Sequence, residues 1–241
     1  AGKHVLCEKP IAANAEEARA MAACARREGR VLMEAFHWRY HPLAARMIEV
    51  VESGAIGEVT HVEADMCVPF PNPWDIRFDP ALAGGAMMDV GCYAVSMIRH
   101  LAGAEPEVVS SQVALRRPGV DRAAEATLRF ASGASGRLRA SLMSWRLLSI
   151  RARVVGTEGE VSAFNPVGPH IGYHSLRVRS RAERTAGRVA GEPTYTCQLR
   201  AFLAAVREGA ALPTDGDDGA RNMEVIDAIY RAAGLEPRRG V

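Results

Sequence analysis

Val5-Leu6-Cys7-Glu8-Lys9-Pro10, followed after a helix-like interval by Val31-Leu32-Met33, is the stretch that decides the fold. The apolar triplet Val5-Leu6-Cys7 reads as the end of a short strand, and Pro10 closes it because proline cannot donate to a central ladder. Between the two apolar runs, Asn14 suits an N-cap, with Glu17 three positions on in the spacing of a capping box. Ala18, Met21, Ala22 and Ala25 then share one helical face, and Gly29 is placed to take the left-handed stop. Strand, helix and strand with short joints predict the tail of a parallel α/β sheet, in which helices cover apolar strands.

Further along, Pro42 suits the first turn of a helix whose Leu43, Met47, Ile48 and Val51 recur at helical spacing before Gly54. From Val59 to Met66 the pattern alternates, with Val62, Ala64 and Met66 on one side and His61, Glu63 and Asp65 on the other, as in a half-exposed strand. A loop rich in proline (Pro69, Pro71, Pro73, Pro80) leads to Gly84-Gly85 and an apolar helical stretch from about Ala86 to Leu101, ended near Gly103. Strand-like runs follow at Val108–Leu115, Ala124–Phe130, Gly136–Leu142, Ile150–Val155 and Leu176–Arg181, predicting an antiparallel or mixed sheet. Arg181 to Gly191 reads as an exposed loop. Two helices close the chain, one carrying Leu199, Phe202, Leu203 and Val206, the other running from an Asp217-Asp218 cap toward Gly234.

The 241 residues suffice for one large domain or two small ones, and 48% hydrophobic with 24% charged residues is the composition of an ordinary globular chain. No unbroken apolar run approaches the roughly 18 residues of a membrane span. Thirty Lys and Arg against 28 Asp and Glu leave a formal charge of +2, so no global field draws the chain to nucleic acid or anionic lipid. A small-molecule partner, with no nucleic acid and no membrane, is the expectation. Cys7, Cys24, Cys67, Cys92 and Cys197 are odd in number and scattered, with no secretory signal before them, which predicts reduced thiols and a cytoplasmic location.

Four groups of residues invite a chemical reading. Glu8-Lys9-Pro10 lies at the C-terminal end of a strand, where open α/β sheets bind ligands. Lys9 there is either a surface residue before a turn proline or a charge that holds an anion or hydroxyl and takes part in proton transfer. Asp89 and Tyr93, four apart on one helix, are either a dipole-stabilised Asp beside a half-buried ring or a cooperating pair. In the second reading Tyr93 relays a proton, Lys9 lowers its pKa and Asp89 orients a hydroxyl or the lysine. His37/His41 and His170/His174 have the spacing of paired zinc ligands, but neither has a zincin glutamate and no third ligand is evident, so no metal is expected. Trp74 and Arg77 have the chemistry to stack on and hydrogen-bond a planar or phosphorylated ligand. Arg137 with Arg139, and Arg177 with Arg179 and Arg181, read as solvated strand faces.

Four blocks in order, Lys3 to Pro10, Met33-Glu34-Ala35-Phe36-His37-Trp38-Arg39-Tyr40-His41-Pro42, Gly84 to Tyr93, and Arg221 to Tyr230, resemble one family. It is the glucose–fructose oxidoreductase, inositol dehydrogenase and rhizopine-catabolism (Gfo/Idh/MocA) group of NAD(P)-dependent dehydrogenases. Met-Glu-Ala-Phe, the Arg77-Phe78-Asp79-Pro80 loop and Tyr93 are most similar to its dihydrodiol dehydrogenase and NADP-linked D-xylose dehydrogenase branch. The resemblance implies an α/β plus α+β fold: the C-terminal part of a Rossmann domain in residues 1–41, then in 42–241 an α+β domain with a large, mostly antiparallel open sheet. The last helix would pack back on the first part.

The same resemblance implies that catalytic Lys9, Asp89 and Tyr93 surround the substrate carbon facing the nicotinamide of NADP or NAD. It puts Glu8 and Lys9 at the nicotinamide ribose, makes Lys9-Pro10 a candidate cis peptide, and brings Trp74, Arg77 and Tyr195 toward the cofactor. The implied activity is hydride transfer at a CH–OH group of a sugar, polyol or cyclic dihydrodiol, in a homo-oligomer joined through the open sheet face. The family's Gly-x-Gly-x-x-Gly turn, which holds the pyrophosphate, is not found in these residues. The expectation is therefore an N-terminally truncated dehydrogenase, inactive alone and with an exposed apolar sheet edge. The alternative is a non-catalytic ligand-binding or oligomerisation module.

Overall fold

Two short strands, β1 (Val5–Cys7) and β2 (Leu32–Glu34), pair in parallel with Val5 opposite Leu32, joined by helix α1 (Ala15–Arg27). The computed structural model describes residues 1–70, 72, 74–143, 148–181 and 183–240; Pro71 and Pro73 of the proline-rich loop lie outside the described residues. Asn14 caps α1 by accepting from the Glu17 amide at 3.0 Å. Glu17 reaches back to the Ala13 amide and to the Asn14 side chain, so the box closes one residue earlier than its usual form. Ala15, Ala18 and Ala22 supply the buried stripe, and Gly29 turns the chain with φ +60°.

Helix α2 (Pro42–Glu52) follows a single 3-10 turn (His37–Tyr40). Its N-cap is His41, whose Nδ1 accepts from the Leu43 amide at 3.1 Å. That bond gives His41 a structural duty at the start of α2.

The remaining strands form one eight-stranded sheet: β3 (Val59–Cys67), β4 (Glu107–Arg117), β5 (Val120–Arg129), β6 (Ser135–Ser141), β7 (Ser149–Gly156), β8 (Gly159–Phe164), β9 (Ser175–Ser180) and β10 (Arg184–Gly187). Their spatial order is β10-β9-β8-β7-β3-β6-β5-β4, antiparallel except where β3 runs parallel to β6. Helix α3 (Cys92–Ala102) lies on its centre and α2 on the β8–β9 side. Along β3 the predicted alternation holds: Val62, Ala64 and Met66 go into the core under α3, while Glu63 and Asp65 on the other face pair with Arg137 and Arg139.

Two strands escaped the sequence reading. β8 is a six-residue strand behind the tight Thr157-Glu158 turn, too short for its Val161/Ala163 alternation to stand out. β10 falls inside the stretch read as an exposed loop; its Arg-Thr-Ala-Gly sequence has no apolar face, and pairing with β9 alone makes it a strand.

The apolar stretch from Pro80 to Ala102 is long and apolar enough to span a membrane by length and composition. Asp89, Arg99 and His100 interrupt it, so it is not an unbroken apolar run of that length. It is instead the centre of the core: α3 is buried nearly all round, as a helix between layers must be. Its entry is not α-helical, because Met87–Gly91 form one π-helical turn. Gly85, at φ +145°, precedes that turn, and a Cβ there would collide with the Asp121 carboxylate.

Helix α4 (Thr194–Glu208) buries Thr194, Gln198 and Ala205, whereas Leu199 and Leu203 from its expected apolar stripe are exposed. Helix α5 (Gly216–Ala232) is capped by Asp215, which accepts from the Asp218 amide at 2.8 Å, not by the Asp217-Asp218 pair. It packs along α1 and touches β2 and β4, so the C-terminal helix ties the two sheets together.

Candidate active site

The loop after β1 carries Lys9, and the Lys9-Pro10 peptide is cis. Lys9 Nζ donates to the Asp89 carbonyl at 2.6 Å and to Asp89 Oδ1 at 2.9 Å. Asp89 Oδ2 meets Arg77 Nε at 3.0 Å, and Arg77 also pairs with Asp75 at 2.8 Å while its guanidinium lies over Phe70. Lys9, Asp89 and Arg77 thus form a charge chain on one wall of a cleft of about 470 Å³, lined further by Pro10, Ala13, Gly84 and Met88. Burial works against the Lys9 ammonium, yet Cys92, Asp89 and Glu8 more than offset it, and its pKa lies above the ordinary lysine value. Because burial pushes the Cys92 thiol up to about 12, that group is neutral at ordinary pH and Asp89 is the partner that counts.

Tyr93 stands beside this chain, with its ring centroid 5.1 Å from Lys9 Nζ. Its hydroxyl is not bonded to Lys9 or Asp89 but lies 3.1 Å from His37 Nε2. Burial, followed by Cys92, Tyr195, Glu8 and Asp89, pushes the phenol well above its ordinary pKa. The expectation that Lys9 lowers the Tyr93 pKa is therefore corrected: the cation spends its hydrogen bonds on Asp89, and desolvation of the phenolate dominates. Of the two duties expected of Asp89, the structure shows the one toward the lysine: its carboxylate holds Lys9, and Arg77 as well. The π turn separates the two, since Asp89 sits inside the widened turn and Tyr93 beyond it.

Of the other residues singled out, Glu8 is exposed at the cleft end of β1, and Tyr195 stacks on His37 with ring centroids 4.3 Å apart. Trp74 is not brought in: it is 91% exposed, and Arg77 takes acidic and Phe70 partners in its place. His41, His170 and His174 line one small cleft, with the His41 and His174 ring centroids 6.5 Å apart and edge to face. Among the described residues no group of three or more His, Cys, Asp or Glu side chains could hold a metal.

Glu34 is the residue whose role the sequence reading missed. Fully buried, it accepts from the Ile11 amide at 2.9 Å and so pins the loop that presents Lys9. Burial raises its pKa to about 8, with the Ile11 bond pulling the other way and Asp218 adding to the rise. Its place in Met-Glu-Ala-Phe, at the end of a strand otherwise wholly apolar, was the available signal.

Known proteins share this arrangement of chain. The Gfo/Idh/MocA C-terminal domain matches residues 44–162, and the oxidoreductase family NAD-binding Rossmann fold matches residues 1–36. D-xylose 1-dehydrogenase (NADP(+)) 2 of Haloferax volcanii is 37% identical over 238 residues, 96% of this chain and 71% of that protein. The chain belongs to the Gfo/Idh/MocA family. Trans-1,2-dihydrobenzene-1,2-diol dehydrogenase of Mus musculus is 35% identical over 165 residues, 66% of this chain and 47% of that one. The crystal structure of aldose-aldose oxidoreductase from Caulobacter crescentus complexed with glycerol superposes with a TM-score of 0.87 at 29% identity, covering 97% of this chain and 70% of that one. The chain is accordingly an oxidoreductase of the NAD(P)-dependent dehydrogenase class, which favours the catalytic reading over a ligand-binding module.

The residues present fit the nicotinamide end of such a cofactor. The cleft lies past the C-terminal end of a parallel strand, where dinucleotides bind, and its wall offers a lysine held charged and an arginine. Exposed Glu8 adds an acceptor suited to ribose hydroxyls.

Proposed function

We propose that the site interconverts a secondary alcohol and a ketone or lactone on a sugar or related cyclic polyol, with NADP or NAD. The observation that carries this reading is the meeting of two segments: the loop after β1 brings Lys9 onto Asp89 at the wall of the cleft, with the Tyr93 ring, four residues beyond Asp89, 5.1 Å from the Lys9 ammonium. Bound NAD(P) supplies the acceptor for the C–H electron pair of the alcohol carbon. Glu8, Lys9, Pro10 and Arg77 would hold its nicotinamide ribose end, and Tyr195, expected toward the cofactor, stacks on His37 behind Tyr93. Lys9, charged and aimed by Asp89, stabilises negative charge developing on the substrate oxygen. Tyr93 Oη exchanges the hydroxyl proton. Arg77 shares the Asp89 carboxylate, which keeps that carboxylate in place when Lys9 turns toward a ligand.

The test is turnover of a panel of aldoses, polyols and cyclic diols, followed by the absorbance of reduced nicotinamide with NADP and with NAD in parallel. Alcohol-dependent reduction of either cofactor is expected. Cofactor binding without reduction by any member of the panel would remove the dehydrogenase reading from this cleft.

The outer face of the large sheet is proposed to meet a second copy of the chain. Its support is a broad surface of about 650 Å³ in which Glu63, Asp65, Arg139, Arg153 and Glu160 are held in mutual ion pairs beside Phe164. Sedimentation should give at least a dimer, and Arg153→Glu should shift it toward monomer. A monomer at micromolar concentration would overturn the proposal.

A further inference from the structure

The Tyr93 phenol raises a difficulty. Its pKa is too high for it to leave as phenolate, and no cation bonds to its oxygen among the described residues. A neutral phenol can still accept a proton on its oxygen if its own proton departs at the same time. We propose that His37 is the acceptor for that proton, so that Tyr93 works as a relay between the substrate hydroxyl and His37 Nε2. The inference rests on the reading of Tyr93 as the group that meets the substrate hydroxyl.

The geometry supports it on three counts. His37 Nε2 lies 3.1 Å from the Tyr93 hydroxyl, within hydrogen-bond reach, and both side chains are buried. The imidazole is clamped, edge to face with Tyr93 at 5.8 Å between centroids and stacked on Tyr195 at 4.3 Å. Its Nδ1 is buried and without a hydrogen-bond partner among the described residues. When Nε2 accepts from Tyr93, the proton of the neutral ring sits on that Nδ1, which leaves Nε2 as the ring's one open basic site and aims it at the Tyr93 hydroxyl.

In the oxidative direction the substrate O–H bond breaks and its proton joins Tyr93 Oη. The Tyr93 O–H bond breaks as its proton joins His37 Nε2, and the electron pair of the carbinol C–H bond leaves with its hydrogen to the oxidised nicotinamide. The products are the carbonyl compound, reduced NAD(P) and an imidazolium; no phenolate forms. After the product leaves, the proton returns the way it came: His37 Nε2 gives it to Tyr93 Oη as the Tyr93 hydroxyl gives its own proton to water that has refilled the substrate position. In the reductive direction every transfer reverses.

The groups facing His37 are Tyr93 on α3, Tyr195 on α4, His170 next to Tyr195, and Lys9. Burial first, then His170 and Lys9, lower its pKa to about 4. The ring is therefore neutral and able to accept at neutral pH, and once protonated it releases its proton readily. Oxidation should fall as pH drops through the His37 pKa, because the acceptor is then already filled.

The experiment compares His37→Gln, His37→Leu and Tyr93→Phe, singly and with Tyr93→Phe combined with each His37 variant, in the NADP-loaded protein. Glutamine can accept a hydrogen bond from Tyr93 but cannot carry a proton. Both His37 variants are expected to lose about 10- to 100-fold in oxidative kcat with KM within about threefold, and to lose the acid limb of the pH profile. Tyr93→Phe should add little to either, since the two residues act as one unit. Wild-type kcat in His37→Gln would show that His37 only orients Tyr93 and would overturn the relay.

A readout without turnover stands beside these. In 15N spectra of the histidine rings at neutral pH, His37 Nε2 should be unprotonated and its signal should move on Tyr93→Phe. A protonated Nε2, or no response, would overturn the inference even in an active enzyme. Loss of the underlying reading looks different: the wild type itself would then turn over nothing on the alcohol panel.

Discussion

Lys9→Met is expected to lower kcat about 10²- to 10³-fold while the Kd for NADP changes by less than about tenfold. The methionine keeps the length and much of the apolar stem but removes the ammonium that this reading turns toward the substrate oxygen. In the ground state an alcohol needs little from that charge; in the transition state, as its proton leaves, the oxygen becomes anionic and the ammonium is worth most. The loss should therefore fall on kcat more than on KM. Little change in stability is expected, because Asp89 keeps Arg77 at 3.0 Å after Lys9 is gone. Stopped-flow single turnovers check the chemical step and tryptophan fluorescence checks cofactor binding. The comparison with Tyr93→Phe separates the roles. Removing the relay should flatten the acid limb of the pH profile, whereas removing Lys9 should lower the whole profile and leave its shape. Wild-type kcat in Lys9→Met would rule out Lys9 as the group that stabilises the oxyanion.

What the sequence makes visible follows from how local each signal is. The segment from Val5 to Met33 was readable because period, cap and glycine stop all point to one strand-helix-strand unit. The β3 alternation was readable for the same reason, since one face of that strand is apolar and the other charged. β10 was not, because its stability comes from a neighbour it has no side-chain pattern to announce. The site divides likewise. Lys9, Asp89 and Tyr93 stand out in the motif blocks, and the Lys9–Asp89 pair was among the readings they allowed, but Arg77 on Asp89 and His37 on Tyr93 were not, because spacing along a helix says nothing about which residue arrives from another segment. Tyr93 was paired with Asp89 on the strength of four residues' separation; the π turn and the 3-10 turn after β2 pair it with His37 instead. Glu34 and Asp121 are buried acids whose meaning depends on distant donors: Ile11 in one case, and Tyr230, Arg238 and Met87 in the other.

Asp121→Ala is expected to cost about 3–5 kcal/mol of stability, read as a fall in Tm of roughly 10 °C. Asp121 has no exposed surface. Its Oδ1 accepts from the Tyr230 hydroxyl at 2.8 Å and from Arg238 at 2.7 Å, and its Oδ2 accepts from the Met87 amide at 2.7 Å. One carboxylate on β5 thus holds α5, Arg238 in the segment that follows α5, and the first residue of the π turn. Alanine would leave the buried Arg238 cation, stacked on Tyr230, without a counter-charge and the Met87 amide without an acceptor. If the cost comes from the stranded charge, replacing both partners should recover part of it, so Asp121→Leu with Arg238→Met should melt above Asp121→Ala. A change in Tm below about 2 °C for Asp121→Ala would mean that this carboxylate is not the anchor. The same variant should also lower kcat in the surviving folded protein. Asp89 is two residues beyond the amide that Asp121 holds, and Gly85, just before the turn, is packed so closely on the carboxylate that no side chain fits there. Loosening that contact lets the turn relax toward an ordinary helical start, which moves Asp89 relative to Lys9 while leaving Tyr93, anchored in α3 and bonded to His37, where it is. The Asp121 variant should therefore lose the oxyanion contribution and keep the proton relay, giving a lowered pH profile with its acid limb intact.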